Sequence, residues 1–230
     1  TCNHHRAMVF FFTSTCGGYT LYMGKDKYEN EDLIKYGLPE DVWFHVDDMS
    51  SAHVYLRQKT GELLADISPE LMLDCCSLVK ANSIAGCKLN SVYVIYTRWK
   101  NLKKTSRMVE GEVSYHRQQN VKRVKAEKNK PIVNGLNKTK VEDHPDLWQI
   151  QKDRECEMIE EKKAARKSLI AVEREKEKQR KSGIRERRNE RLKEDENIEA
   201  TIERNKLENL RMSDDESLSG SEVSADSLGF

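Results

Sequence analysis

The run Asp41-Val42-Trp43-Phe44-His45-Val46, followed by Asp47-Asp48-Met49-Ser50-Ser51 and His53-Val54-Tyr55-Leu56-Arg57, decides how this chain folds. Aromatic and β-branched residues fill the two outer segments, which suits a pleated, half-buried surface, while the acidic and serine-rich middle is turn material. Two strands joined by a polar turn are predicted. Toward the N-terminus, Val9-Phe10-Phe11-Phe12 and Tyr19-Thr20-Leu21-Tyr22-Met23 are two more β-favouring runs. Gly17 and Gly18 between them supply the backbone freedom of a hairpin reversal. Gly24-Lys25-Asp26-Lys27-Tyr28-Glu29-Asn30 then reads as an exposed loop, with Asn30 capping a short helix over residues 31–36 that stops at Gly37.

Toward the C-terminus, Ser68-Pro69-Glu70 offers an N-cap with proline at the first helical position. Leu71, Leu78 and Val79 recur at helical spacing to about residue 81, the one main helix of the domain. The run Ser91-Val92-Tyr93-Val94-Ile95-Tyr96-Thr97 alternates little, as if buried on both faces, and residues 111–116 and 121–125 are weaker strands. Strands on both sides of a helix predict a small α+β domain with antiparallel strands.

With 37% hydrophobic and 34% charged residues and a mean hydropathy of −0.80, 230 residues cannot pack throughout as one globule. The expected organisation is a leader or expression remnant over 1–7, with Met8 as initiator, and a domain over 8–130. A linker over 131–146 carries the turn signals Asn134-Gly135 and His144-Pro145. A long charged, coiled-coil-like helix over 147–212 and a disordered acidic, serine-rich tail over 213–230 follow. In the helix, Leu147, Met158 and Leu169, and beside them Trp148, Ile159, Ile170 and Leu192, recur at about eleven residues or twice that, which suits a nearly straight association better than a leucine zipper. The pairs Glu160–Lys163, Glu173–Lys176 and Glu177–Lys181 add about 0.2–0.5 kcal/mol each.

The formal charge of +1 conceals an asymmetry: residues 98–130 hold eleven lysines and arginines against three acids, whereas residues 213–230 hold acids only. A basic segment on a folded domain is the electrostatic footprint of a polyanion binder. A solvated surface beside an acidic counterweight is the plainer alternative. Six cysteines without regular spacing read as reduced thiols, with Cys75 and Cys76 as core residues, which implies a cytoplasmic or nuclear setting. No paired Cys/His spacing suggests zinc, and no cofactor is expected. The apolar runs over 8–12 and 92–96 fall far below the roughly 18 residues of a membrane-spanning helix.

The successive segments Gly24-Lys25-Asp26-Lys27-Tyr28-Glu29-Asn30-Glu31, residues 41–46 and Ser50-Ser51-Ala52-His53-Val54-Tyr55-Leu56-Arg57 resemble the signatures of the NFACT-R domain family in order and spacing. Ala81-Asn82-Ser83-Ile84-Ala85-Gly86-Cys87-Lys88, the segment from Trp99 to Lys104, and Tyr115-His116-Arg117 through Lys122 resemble the remainder, so the resemblance covers about residues 8–152. It implies a non-catalytic nucleic-acid-binding module, with a link to translation or ribosome quality control. Arg98 stands where the family pattern has proline, and Asp48 where it has lysine.

Lys25, Lys27 and Tyr28, flanked by Asp26 and Glu29, place two ammonium groups beside an aromatic ring, suited to phosphate contact and base stacking; an ordinary charged turn is the alternative. His45 and His53 are further candidates, with a structural role as their alternative. Lys88, then Lys100, Lys103 and Lys104 around Trp99, then His116, Arg117, Lys122, Arg123 and Lys125 form a longer basic track, of which only alternate strand positions can share a face. Ser213 and Ser219 stand ahead of acids, as acidophilic kinase sites do, and Ser217 between them is a third candidate. No nucleophile, acidic dyad or glycine-rich phosphate cradle points to catalysis. The expected partner is RNA or DNA, bound through phosphates with little sequence preference. Alternatives are a scaffold whose charged helix binds a protein partner, and a DNA binder at a membrane surface with residues 9–12 or a partner as anchor.

Overall fold

A computed structural model describes residues 7–218, with side chains through 209. Seven strands form one sheet in the order β8-β5-β3-β4-β2-β1-β9. In chain order these are β1 (Val9–Thr13), β2 (Thr20–Gly24), β3 (Asp41–Val46), β4 (Val54–Arg57), β5 (Ser91–Arg98), β8 (Lys122–Glu127) and β9 (Val141–Asp143). Every adjacent pair is antiparallel. Two short strands, β6 (Leu102–Lys103) and β7 (Ser114–Tyr115), pair separately. The helices are α1 (Lys27–Lys35), α2 (Pro69–Ala81), α3 (Lys130–Lys138) and α4 (Leu147–Leu218). The α+β class with antiparallel strands and a long C-terminal helix stands.

The period-2 alternation of strand side chains separates two cores. Phe12, Leu21, Val42, Phe44, Val54, Leu56 and Val94 face α2, whose Leu71, Cys75, Leu78 and Val79 complete one apolar layer. Trp43, Tyr22 and Tyr55 face the other way with Val9 and Leu33, against Trp99, Tyr115 and Leu147. The hairpin turn has Gly17 and Gly18 at φ +73° and +74°, a left-handed conformation that glycine adopts without steric cost. Its backbone is tied to α2: fully buried Asp74 accepts from Ser14 Oγ (2.8 Å), Thr15 N (2.7 Å) and Thr15 Oγ1 (2.7 Å). At the start of β3, buried Asp41 accepts from Tyr22 Oη and Leu38 N (2.7 Å each) and from Arg57 through Nε and Nη2.

Several expectations are corrected. Segment 131–146, expected as a linker, contains α3 and β9. Leu136 is fully buried in the core that α2 covers, and β9 pairs with β1 from Val9↔Asp143 to Phe11↔Val141. The turn signals Asn134-Gly135 were outweighed by an amphipathic pattern and by Asn129, whose side chain accepts from Ile132 N. The helix expected over 31–36 begins at Lys27, because Asp26 rather than Asn30 caps it. The main helix is therefore joined by two shorter ones. Ala7, assigned to a leader, is 1% exposed and packs with Val9; residues 1–6 lie outside the described residues. Val9 and Phe12 are buried in a central strand, which removes them as a membrane anchor. Tyr93 is exposed, so β5 is not covered on both faces. The weaker strand expected over 111–116 shrinks to β7.

Residues through Ile159 form one compact unit, which includes the start of α4. Arg154 there donates to Glu40 Oε1 through Nε (2.9 Å) and Nη2 (2.7 Å), and Gln151 Nε2 donates to the Gly37 carbonyl (3.1 Å). From Glu160 the helix belongs to a second unit, whose side chains through 209 are nearly all exposed, and the expected Glu177–Lys181 pair forms at 3.5 Å. The helix passes the expected end at 212 and reaches Leu218. No helix of the described residues is long and apolar enough to cross a membrane.

Candidate nucleic-acid interface

The loop after β2 is built by close approach. A Cβ on Gly24 would lie 2.9 Å from Asn30 N, so only glycine lets the strand end meet the helix start. The Asp26 carboxylate accepts from Tyr28 N (2.9 Å) and Glu29 N (3.1 Å), and Glu29 Oε2 accepts from Met8 N (3.1 Å). Asp26 and Glu29 therefore shape the loop. Lys25 and Lys27 stay exposed; Lys27 Nζ lies 4.9 Å from the Tyr28 ring centre and 4.0 Å from Glu110, and Tyr28 is 62% exposed. Lys25 has no ion pair or side-chain hydrogen bond among the described residues.

These lysines rim a cavity of about 600 Å³ whose lining includes Phe10, Asn30, His45, His53, Ile84 and Gly111. The structure thus brings together five of the expected site residues, Lys25, Asp26, Lys27, His45 and His53. Trp43 Nε1 donates to His53 Nδ1 (2.8 Å), which leaves the ring proton on Nε2. Burial, then the neighbouring His45 and Lys104, pushes the His53 pKa down to about 3, against the opposing pull of the Gly111 backbone. Burial lowers His45 as well, and the two rings meet edge-on at 4.9 Å. Both histidines are neutral walls rather than cations. Asn30, 4% exposed, accepts from Tyr55 Oη (3.2 Å) while its Nδ2 has no partner, which costs about 1–3 kcal/mol in a protein interior.

His45 also lines a second concavity of about 600 Å³ with Asp47, Tyr115, Gln118 and Arg123. Arg123, on edge strand β8, is held by Asp47 (Nε to Oδ2, 2.8 Å) and stacks 3.9 Å over the ring of Tyr93, which is 48% exposed. Lys125 stands opposite Tyr93 in the sheet register. Asp47 thus holds the Arg123 guanidinium in place. Burial, with Asp47 second, pushes the Tyr115 hydroxyl up to about 12.

Other expected residues serve the fold. Lys104 Nζ donates to Glu31 Oε1 (2.9 Å), Val109 O (2.7 Å) and Glu112 O (2.9 Å). Trp99 Nε1 donates to Ile34 O (2.8 Å), and its ring fills the space where a Gly37 side chain would be. Arg98 spends its guanidinium on the carbonyls of Glu40 and Glu62. Lys88, Lys103, His116, Arg117 and Lys122 are exposed but line neither cavity. Ser213 and Ser217 fall within α4, but their side chains, and Ser219 altogether, lie outside the described residues. Sequence reading passed over Asn30 as a wall residue and Tyr93 as an exposed ring; a tyrosine within a valine-rich strand carries no signal of which face is open. Among the described residues no group of three or more His, Cys, Asp or Glu is placed to hold a metal ion.

Residues 8–117 match the family described as NFACT protein RNA binding domain. A Mus musculus protein named coiled-coil domain-containing protein 25 is 58% identical over 161 residues, 68% of this chain and 77% of the mouse chain. A Dictyostelium discoideum homologue of that name is 53% identical over 141 residues, 61% and 68% of the two chains. Protein JLP2 of Saccharomyces cerevisiae is 41% identical over 144 residues, 59% and 69%. With signature residues of the β2–α1 loop, His45 of β3 and the segment leading into β4 assembled around one cavity, the chain belongs to the NFACT RNA-binding-domain family, alongside coiled-coil domain-containing protein 25.

Proposed function

We propose that this chain binds RNA through backbone phosphates, with little sequence preference and without turnover, in RNA handling close to translation. The observation that carries the reading is the placement of exposed Lys25 and Lys27 at the rim of a cavity walled by half-buried His45 and buried His53, both with pKa values lowered by desolvation. Free ammonium groups neutralise phosphates and release counterions, whereas neutral rings offer surfaces for bases. The Arg123 fork, held by Asp47 and Tyr93, extends the basic surface past His45. Replacing Lys25 and Lys27 with alanine should weaken binding to RNA of any sequence. It should also make the log–log salt dependence shallower by about 0.7 per lost contact on single strands. A folded double variant with unchanged affinity and slope refutes this site, and a matched DNA strand bound equally well widens the ligand class.

A second reading rests on α4 beyond Glu160, where Leu169, Val172, Ile184, Leu192, Ile198 and Ile202 are more than half exposed. Apolar groups presented along a charged helix suit a helical protein partner. Crosslinking of the full chain with and without residues 160–230 tests it: loss of a specific protein adduct on deletion supports the scaffold role.

A further inference from the structure

The cavity beside the lysine loop has a depth and a chemistry that phosphate contacts leave unused. About 600 Å³ falls within the range of small-ligand pockets, roughly 300–1,000 Å³. Phe10, Met23, Ala52 and Ile84 give it apolar wall, and the neutral rings of His45 and His53 add aromatic surface. One polar group in that wall is unsatisfied. The Asn30 amide is 96% buried, counting from its 4% exposure, and its Nδ2 donor has no partner. Buried donors in native proteins are nearly always paired, and an unpaired one on a residue that lines a cavity points to an acceptor supplied from outside the chain. The acids nearby are occupied: Asp26 caps α1, Glu112 Oε2 accepts from Val109 N (3.2 Å), and Glu110 faces Lys27.

We infer that this cavity receives one unstacked nucleobase of a single-stranded RNA. The base lies against the histidine and apolar walls, an acceptor on its edge takes the Asn30 Nδ2 proton, and the flanking phosphates rest on Lys25 and Lys27 at the rim. The inference rests on the RNA-binding reading above and adds to it a preference: a base paired within a duplex cannot enter. A flat aromatic heterocycle satisfies the apolar wall and the unpaired donor together, which inorganic phosphate does not.

Ile84 offers the cleanest test, because it is 77% exposed at the cavity wall and its replacement disturbs no core. Full-length wild type, Ile84→Trp, Asn30→Ala and the Lys25/Lys27 double alanine variant are titrated with a labelled mixed-sequence single-stranded RNA and with a duplex of equal length, each over a salt series and with a melting curve. Ile84→Trp, which fills the cavity, should weaken single-strand binding about tenfold or more while leaving the salt slope and duplex affinity unchanged. An equimolar mixture of the four nucleoside 5′-monophosphates should compete with the single strand where inorganic phosphate at the same concentration does not. Wild-type single-strand affinity in folded Ile84→Trp, an equal loss on the duplex, or equal competition by phosphate overturns the inference. If the double alanine variant shifts the salt slope while Ile84→Trp is silent, the cavity inference alone fails. If both are silent, the RNA-binding site itself is wrong. Asn30→Ala also removes the partner of Tyr55, so its loss of affinity supports the inference only when its melting curve matches wild type.

Discussion

Replacing His53 with glutamine should flatten the acid limb of the stability curve. In the fold His53 is 7% exposed, accepts from Trp43 Nε1 and has its pKa pushed down to about 3 by burial. In the unfolded chain an imidazole titrates near 6.5. Between those values the unfolded state takes up a proton that the folded state refuses, so the contribution is complete above pH 6.5 and is lost as pH falls toward 3. At pH 5 the loss is RT ln[(1 + 10^1.5)/(1 + 10^−2)], about 2 kcal/mol, and at pH 7.5 it is below about 0.1 kcal/mol. His45 is lowered in the same direction by burial, but it remains in both proteins and cancels in the comparison. Glutamine keeps an acceptor for Trp43, and any fixed cost of the substitution shifts both pH values alike. Urea unfolding followed by the fluorescence of the domain tryptophans, at pH 7.5 and pH 5, gives the difference directly. Wild type should lose about 2 kcal/mol more than His53→Gln over that interval. Equal losses would refute a buried neutral histidine at this wall.

Three further outcomes follow from the packing. A chain ending at residue 159 should melt cooperatively, whereas one ending at 130 should not, because it lacks Leu136 and the β1–β9 pairing; circular dichroism melts decide. Asp74→Ala should destabilise the domain by about 2 kcal/mol or more in chemical denaturation, since it removes the carboxylate that accepts from Ser14 Oγ, Thr15 N and Thr15 Oγ1 and so frees the hairpin turn. Tyr93→Ala should lower single-stranded RNA affinity by about 1–3 kcal/mol at an unchanged salt slope, while Lys104→Ala should lower the melting temperature without changing that slope; anisotropy titrations with melts separate the two.

Much of the strand layout was legible because the residues that form it carry their own periodicity. Residues 41–46 were assigned as a strand with the bounds of β3, and Ser68-Pro69 marked the start of α2. Segment 131–146 was not legible, since a glycine and a proline gave strong local turn signals while burial of Leu136 and pairing with β1 are long-range gains. The helix start at Lys27 was missed for a related reason. Asp26 and Asn30 are both good caps, and only the approach of Gly24 to the Asn30 backbone selects the first.

The candidate site divides in the same way. The sequence by itself determined the residue types: a lysine-rich loop after a strand, histidines in the β3 and β4 segments, a basic run from residue 98 to 130, and a charged helix too poor in apolar residues to join the core beyond its start. The tertiary structure decided which charges stay exposed. Lys104 and Arg98 are consumed by carbonyls and a carboxylate, whereas Lys25, Lys27 and Lys125 are left at the surface. It also decided that His53 is a neutral wall, that Asn30 keeps an unpaired donor, and that Arg123 is clamped between Asp47 and Tyr93. The physical reason is range. Periodicity, capping and turn chemistry act over a few residues and are written in the chain, while desolvation and hydrogen-bond competition depend on groups that only folding brings within reach.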